Sequence, residues 1–209
     1  IVGYGRIANR FIKESKYVSG INVKGVFGPN PDSLKDFVEK HELAFFETNY
    51  VKFLDQIDAV YIASPHPTHY EYIKKALDSK KHVLCEKPMV LKAGQVQELY
   101  NKAAEKGCVL LEAIKTAYAP GFIRLISLAK SGIIGNIKNV DATFTKLVNG
   151  NVRELKSSSA GGSVTELASY PLLAFVKLLG PQYEDYDFYS YYDESRNIDL
   201  FTKINLKYK

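Results

Sequence analysis

No stretch of about 18 consecutive apolar residues occurs in the chain, so a membrane-spanning helix is excluded. No secretory leader is expected either: the sequence opens on Ile1-Val2-Gly3, with neither a charged segment nor a long apolar one. Cysteine is scarce. Cys85 and Cys108 are the only two, each inside an apolar, strand-like run where a reduced core thiol is the ordinary reading. Nothing else argues for an oxidising compartment, so no disulfide is expected. Charge is never concentrated either. The net charge is +5, the lysines are scattered, and clusters such as Lys80-Lys81-His82 are too short for a nucleic-acid patch. An initiator methionine is absent, and the last residues, Asn205 to Lys209, lie inside a strand-like run. A fragment of a longer protein is therefore expected. Internal repeats and low-complexity tracts are also lacking. What remains is 209 residues, 46% hydrophobic and 24% charged, the composition of an ordinary globular protein with one large domain or two modest ones. A cytoplasmic protein without a nucleic-acid or membrane partner is the expectation.

The first half alternates between two periodicities. Short apolar runs fall at 21–27, 57–63, 81–85 and 108–113. Between them, apolar residues recur at helical spacing: Ile7, Ala8, Phe11 and Ile12; Leu34, Phe37 and Val38 after the helix start Pro31-Asp32-Ser33; Tyr72, Ile73, Ala76 and Leu77; Val96, Leu99, Tyr100 and Ala103 before Gly107. Runs such as Ala59-Val60-Tyr61-Ile62 are apolar on both faces, as helix-covered parallel strands are. Residues 1–115 are thus expected to form a doubly wound parallel α/β sheet. Residues 116–209 read differently. A helix is expected over 120–131, a half-exposed strand over 137–147, a polar loop from Asn149 to Gly162, and one apolar helix over 164–179 stopped by Gly180-Pro181. Alternating runs at 186–192 and 198–208 suggest antiparallel strands, giving a second α/β domain with an open, mostly antiparallel sheet.

Three clusters carry chemistry. Gly3-Tyr4-Gly5-Arg6-Ile7-Ala8 follows a strand and opens a helix. Gly3 permits a tight turn and Gly5 close backbone approach to a pyrophosphate, while Ala8 sits at the helix–strand contact. Arg6 and Ile7 begin the helix whose free N–H groups attract an anion. A plain structural turn would also use these glycines. The second strand ends Val26-Phe27-Gly28-Pro29-Asn30, with no carboxylate before Asp32 to hold a ribose 2′-hydroxyl and no evident cation, Arg6 apart, for a 2′-phosphate. NAD and NADP both stay open. Ser64-Pro65-His66-Pro67-Thr68-His69 then follows a strand, where ligands bind in such sheets; its structural alternative is a capped helix start. Glu86-Lys87-Pro88, at the end of Val83-Leu84-Cys85, faces the same crevice, or is a surface ion pair at a turn.

Together, in this order and spacing, these clusters resemble the Gfo/Idh/MocA oxidoreductase family. Glu112-Ala113, Ser131-Gly132-Ile133-Ile134-Gly135-Asn136-Ile137 and Gly161-Gly162-Ser163-Val164-Thr165-Glu166-Leu167-Ala168-Ser169-Tyr170-Pro171 extend the resemblance into the second domain. It implies a Rossmann domain binding NAD or NADP through Gly3, Gly5, Arg6, Ile7, Ala8, Ser64, Pro65, His66, His69, Glu86 and Lys87. Lys87 matches the family's active-site lysine, Glu166 falls where aspartate is usual, and Tyr170 falls where most members have histidine and a subset tyrosine. The resemblance makes Lys87, Tyr170 and Glu166 catalytic, with Lys87, Lys115 and Tyr170 toward substrate and no metal. A phenol of ordinary pKa, about 10, is a weak base near neutrality, and an ammonium beside it favours phenolate, so the implied Lys87 and Tyr170 roles are complementary. Ile114-Lys115-Thr116-Ala117-Tyr118-Ala119-Pro120 lacks the arginine and histidine often found there. The implied activity is hydride transfer between nicotinamide and a secondary alcohol or carbonyl of a sugar, polyol or diol, in a homodimer or homotetramer. A dinucleotide-binding regulator and an NAD-dependent glycosidase are the alternatives within the same family.

Overall fold

The computed structural model describes residues 1–209, which divide into two compact units, Ile1–Ala113 and Ile114–Lys209. In the first, three residues at the start of the chain organise the sheet. The Val2 N–H donates to Tyr61 O (2.8 Å), Ala63 N–H to Val2 O (2.9 Å), Gly3 N–H to Phe27 O (2.9 Å) and Phe27 N–H to Ile1 O (2.8 Å). Residues 1–3 thus run parallel between β1 (Gly25–Phe27) and β3 (Ala59–Ile62). Strand β2 (Phe45–Glu47) pairs outside β1, and β4 (His82–Cys85) and β5 (Leu110–Glu112) follow β3, all parallel.

Successive strand residues point to opposite faces, and the core divides accordingly. Val26 and Tyr61 join Ile1, Ala8, Ile12, Leu34 and Phe37 on one side, under α1 (Arg6–Ser15) and α2 (Pro31–His41). Phe27, Val60 and Ile62 join Phe53, Ile73, Leu77 and Leu99 on the other, under α3 (Tyr50–Leu54), α4 (His69–Asp78) and α5 (Ala93–Lys106). Helices on both faces of a parallel sheet make this a doubly wound Rossmann fold, as the periodicity predicts. Gly107 ends α5 in the left-handed region at φ 66°. The short elements β2 and α3 are additions to the sequence reading; α3 is fixed by Asn49, whose Oδ1 accepts from Val51 N (3.0 Å) and Lys52 N (3.2 Å).

The second unit contains α6 (Pro120–Lys130), α7 (Ser163–Leu167), α8 (Ser169–Leu179) and an antiparallel ribbon of β6 (Asp185–Asp193) with β7 (Ile198–Lys207). Two expectations are corrected here. Residues 137–147 contain no strand: alternation permits pairing, but no neighbouring strand bonds to this backbone. The helix expected over 164–179 is two helices divided at Ala168, because Pro171 has no N–H to donate to the Leu167 carbonyl four residues earlier.

Candidate active site

The glycine turn lies where residues 1–3 pass into α1. Gly3 has φ 93°, and a Cβ there would stand 2.8 Å from the Ala63 carbonyl oxygen, so both the backbone and the space exclude a side chain. Gly5 has the opposite environment: a Cβ would meet nothing within 4 Å. It is the N-cap of α1 and supplies no side-chain cap, and the first turn carries no acidic residue. Arg6 is exposed, Ile7 half-buried and Ala8 buried at the helix–sheet contact. Open space beside helix N–H groups that no side chain caps suits a diphosphate. At the end of β1, the Tyr4 ring occupies the place of any side chain at Gly28, 2.5 Å from where its Cβ would be. Position 28 therefore presents neither carboxylate nor cation to a ribose.

Beside this turn, the loop after β3 is folded on its own polar groups. Thr68 Oγ1 lies 2.7 Å from Ser64 Oγ and donates to Pro65 O at 2.7 Å, closing a single turn over His66–Thr68. Pro65 is exposed and His66 buried. His69 is fully buried, with Nε2 2.9 Å from Ser64 O and Nδ1 2.9 Å from Pro88 O. Its imidazole ties the loop after β3 to the turn after β4.

That second turn is braced at three points. The Tyr61 hydroxyl donates to Glu86 Oε1 at 2.5 Å, His69 reaches Pro88 O, and Met89 N donates to Glu112 Oε1 at 2.8 Å. Burial first, and then the bond to Glu86, push the Tyr61 phenol well above its ordinary pKa. It remains a proton donor to that carboxylate. Half-buried Lys87 thus stands between neighbours held on both sides, with a cis bond to Pro88. Cys85, just before it, is buried and its thiol is raised by that burial, so it stays protonated. Glu86, Lys87, Ser64 and the glycine turn lie at the carboxyl ends of adjacent strands in the first unit.

In the second unit, Gly162 (φ 124°) precedes α7 and leaves no room for a side chain against Asp199. Asp199 Oδ2 accepts from Ser163 Oγ (2.5 Å), Val164 N (2.8 Å) and Thr202 Oγ1 (3.0 Å), so a strand residue caps this helix. Glu166 is buried, with Oε1 2.8 Å from Arg153 Nη1 and Oε2 accepting from Nη2 at 3.3 Å. Tyr170 is half-buried in the first turn of α8 and stacks on Phe144, with ring centroids 4.7 Å apart. Lys115 is exposed in the single turn Lys115–Tyr118. No group of His, Cys, Asp and Glu is arranged to hold a metal ion, and no helix is long and apolar enough to cross a membrane.

Sequence reading did not single out Tyr61, Arg153 or Asp199. Tyr61 and Glu86 are 25 residues apart, Arg153 and Glu166 13, and Asp199 and Ser163 36, beyond any local pattern. For Asp199, the Gly-Gly before α7 was the available signal.

Residues 1–114 match a family described as an oxidoreductase family with an NAD-binding Rossmann fold, Gfo/Idh/MocA. A trans-1,2-dihydrobenzene-1,2-diol dehydrogenase from Sus scrofa is 31% identical over 150 residues, 71% of this chain and 45% of that protein. An NADP-dependent scyllo-inositol 2-dehydrogenase from Bacillus subtilis is 31% identical over 146 residues, 69% of this chain and 44% of that protein. Among solved structures, a 3-ketoreductase from Actinomadura kijaniata in complex with NADP and TDP-benzene superposes with a TM-score of 0.89 at 26% identity, covering 100% of this chain and 65% of that one. The same ketoreductase has also been solved with one lysine changed to alanine and with one tyrosine changed to phenylalanine. The chain spans about half the length of the curated relatives it matches.

Proposed function

The chain belongs to the Gfo/Idh/MocA oxidoreductase family, with an NAD(P)-binding Rossmann domain, and from that premise we propose that it transfers a hydride between the nicotinamide and a secondary alcohol or carbonyl of a sugar, polyol or diol. The observation that carries the reading is the braced turn Glu86-Lys87-Pro88, held by Tyr61, His69 and Glu112 on the same sheet end as the glycine turn. A surface ion pair would not need three supports from separate elements.

When bound, the dinucleotide supplies the hydride donor or acceptor at the nicotinamide. In this proposal the Lys87 ammonium hydrogen-bonds the reacting oxygen and stabilises the charge that develops on it. Tyr170 moves the hydroxyl proton. Glu166, its carboxylate fixed in two contacts by the Arg153 guanidinium, orients the substrate. Gly3, Gly5, Arg6, Ile7 and Ala8 form the diphosphate cradle, with Ser64, Pro65, His66 and His69 as the neighbouring wall. Lys115 serves substrate charge, and the working assembly is a dimer or tetramer.

Nicotinamide absorbance on a panel of sugars, polyols and diols tests this. Net oxidation or reduction is expected, and Lys87→Met should abolish it in a variant that still binds dinucleotide. Undiminished turnover in that variant sinks the assignment. Glycoside cleavage without net nicotinamide change would identify a glycosidase, and binding without either reaction a regulator.

A further inference from the structure

Two helices of the first unit start with an asparagine used in the usual way. Asn30 Oδ1 accepts from Ser33 N at the start of α2, and Asn49 Oδ1 accepts from Val51 N and Lys52 N at the start of α3. Such caps occupy the free N–H groups of a first turn. Helix α1 carries its asparagine four residues after the N-cap, and Asn9 faces the other way. Its Nδ2 donates to the carbonyl oxygens of Gly5 (2.9 Å) and Tyr4 (3.3 Å). Gly5 O also accepts the helical bond from Asn9 N at 3.1 Å, so both its lone pairs are engaged.

The far end of the same amide fixes its orientation. Asn9 Oδ1 accepts from Lys40 Nζ at 3.0 Å and lies 2.8 Å from His41 Nε2, both at the end of α2. An ammonium has only protons to give, so the oxygen must face Lys40 and the NH2 group must face the turn. Burial, together with Lys40, Lys13 and Lys16, lowers the His41 pKa; the neutral tautomer with its proton on Nε2 completes the set.

We propose that Asn9 is a positioning residue of the diphosphate-binding turn: it holds the carbonyl oxygens of Tyr4 and Gly5 so that the turn presents N–H groups, not carbonyls, to a dinucleotide. This rests on the dinucleotide-binding reading above. A carbonyl dipole turned toward a diphosphate repels it, and the amides of Arg6, Ile7 and Ala8 attract it. Where a capping asparagine would consume those amides, Asn9 leaves them for the ligand. Helix α2 takes part at a distance, through Lys40 and His41.

Asn9→Asp keeps the shape and the Lys40 contact but sets an oxygen against both carbonyls and a charge beside the diphosphate. Titration with NADH and with NADPH, followed by the reduced nicotinamide fluorescence, should show affinity lowered about tenfold or more for the better dinucleotide. Asn9→Ala removes the hold without adding charge and should lower it about fivefold; alanine also favours a helix, so this variant reads the loss should the aspartate variant fail to fold. Adenosine, which lacks the diphosphate, should bind parent and variants alike, whereas ADP should follow the dinucleotides. Unchanged dinucleotide affinity in both variants, or an equal loss for adenosine, overturns the proposal. A parent chain that binds neither NADH nor NADPH overturns the dinucleotide reading itself, a different failure from the first.

Discussion

The two units are held together by different means. All buried apolar residues except Ile198 belong to the first, where two layers of side chains cover the faces of a parallel sheet. The second unit centres instead on polar groups: buried Glu166 on Arg153, and Asp199 gathering Ser163, Val164 and Thr202. The aromatic residues of its ribbon, among them Phe188, Tyr189 and Tyr191, are exposed. Apolar layers draw their stability from area removed from water, spread over many side chains. A polar hub concentrates it in a few bonds whose loss strands several partners at once.

The sharpest way to break that contrast is one substitution made twice. Phe53→Ala empties a fully buried site (0% exposed) and should cost about 3–5 kcal/mol. Phe188→Ala, at 64% exposure, should change stability by less than about 0.5 kcal/mol. Denaturant unfolding measures both, and similar costs would remove the distinction. A smaller effect is expected at the hub. Asp199→Ala should cost roughly 1–2 kcal/mol and speed amide exchange across Ser163–Leu167. Exchange in the first unit should not change, and faster exchange there would mean that the hub is not local to the second unit.

The smallest effect concerns pH. The folded-state pKa of His41 is lowered, mainly by burial and then by Lys40, Lys13 and Lys16. Its contribution is therefore present above the unfolded histidine value of about 6.5 and lost as pH falls below it toward the folded value. His41→Gln, which can still donate to Asn9, should flatten that acid-side decline by tenths of a kcal/mol, read by unfolding at a series of pH values. An identical decline in the variant would place its origin elsewhere.

The same contrast explains what was legible in the sequence. Apolar layers are written locally. Ile7, Ala8, Phe11 and Ile12 repeat at helical spacing, Ala59 to Ile62 read as a strand covered on both faces, and the sheet follows from their alternation. The glycine turn is legible for the same reason, since Gly3 and Gly5 answer to constraints within a few residues of backbone. Strand β2 and helix α3, of three and five residues, are too short for either period to register. Residues 137–147 show the converse: alternation without a partner leaves no strand. Proline at 171 was visible, but apolar spacing on both sides of it concealed the break. The supports of the candidate site were hidden by separation. Tyr61 is 25 residues from Glu86, Met89 is 23 from Glu112, and Asn9 is 31 and 32 from Lys40 and His41. A lone polar residue in an apolar pattern does not say which distant group it will hold. Glu166 was singled out by position, yet its Arg153 partner emerged only from the fold.

In the proposed function the first unit binds a nicotinamide dinucleotide through its glycine turn. Amide hydrogen exchange of the whole chain, with and without NADH and NADPH, tests it most directly. Slower exchange is predicted at the amides of Gly5 to Ala8 and around Ser64 to Thr68 with at least one of the two dinucleotides. Exchange at Gly5 to Ala8 that neither dinucleotide slows would contradict the account.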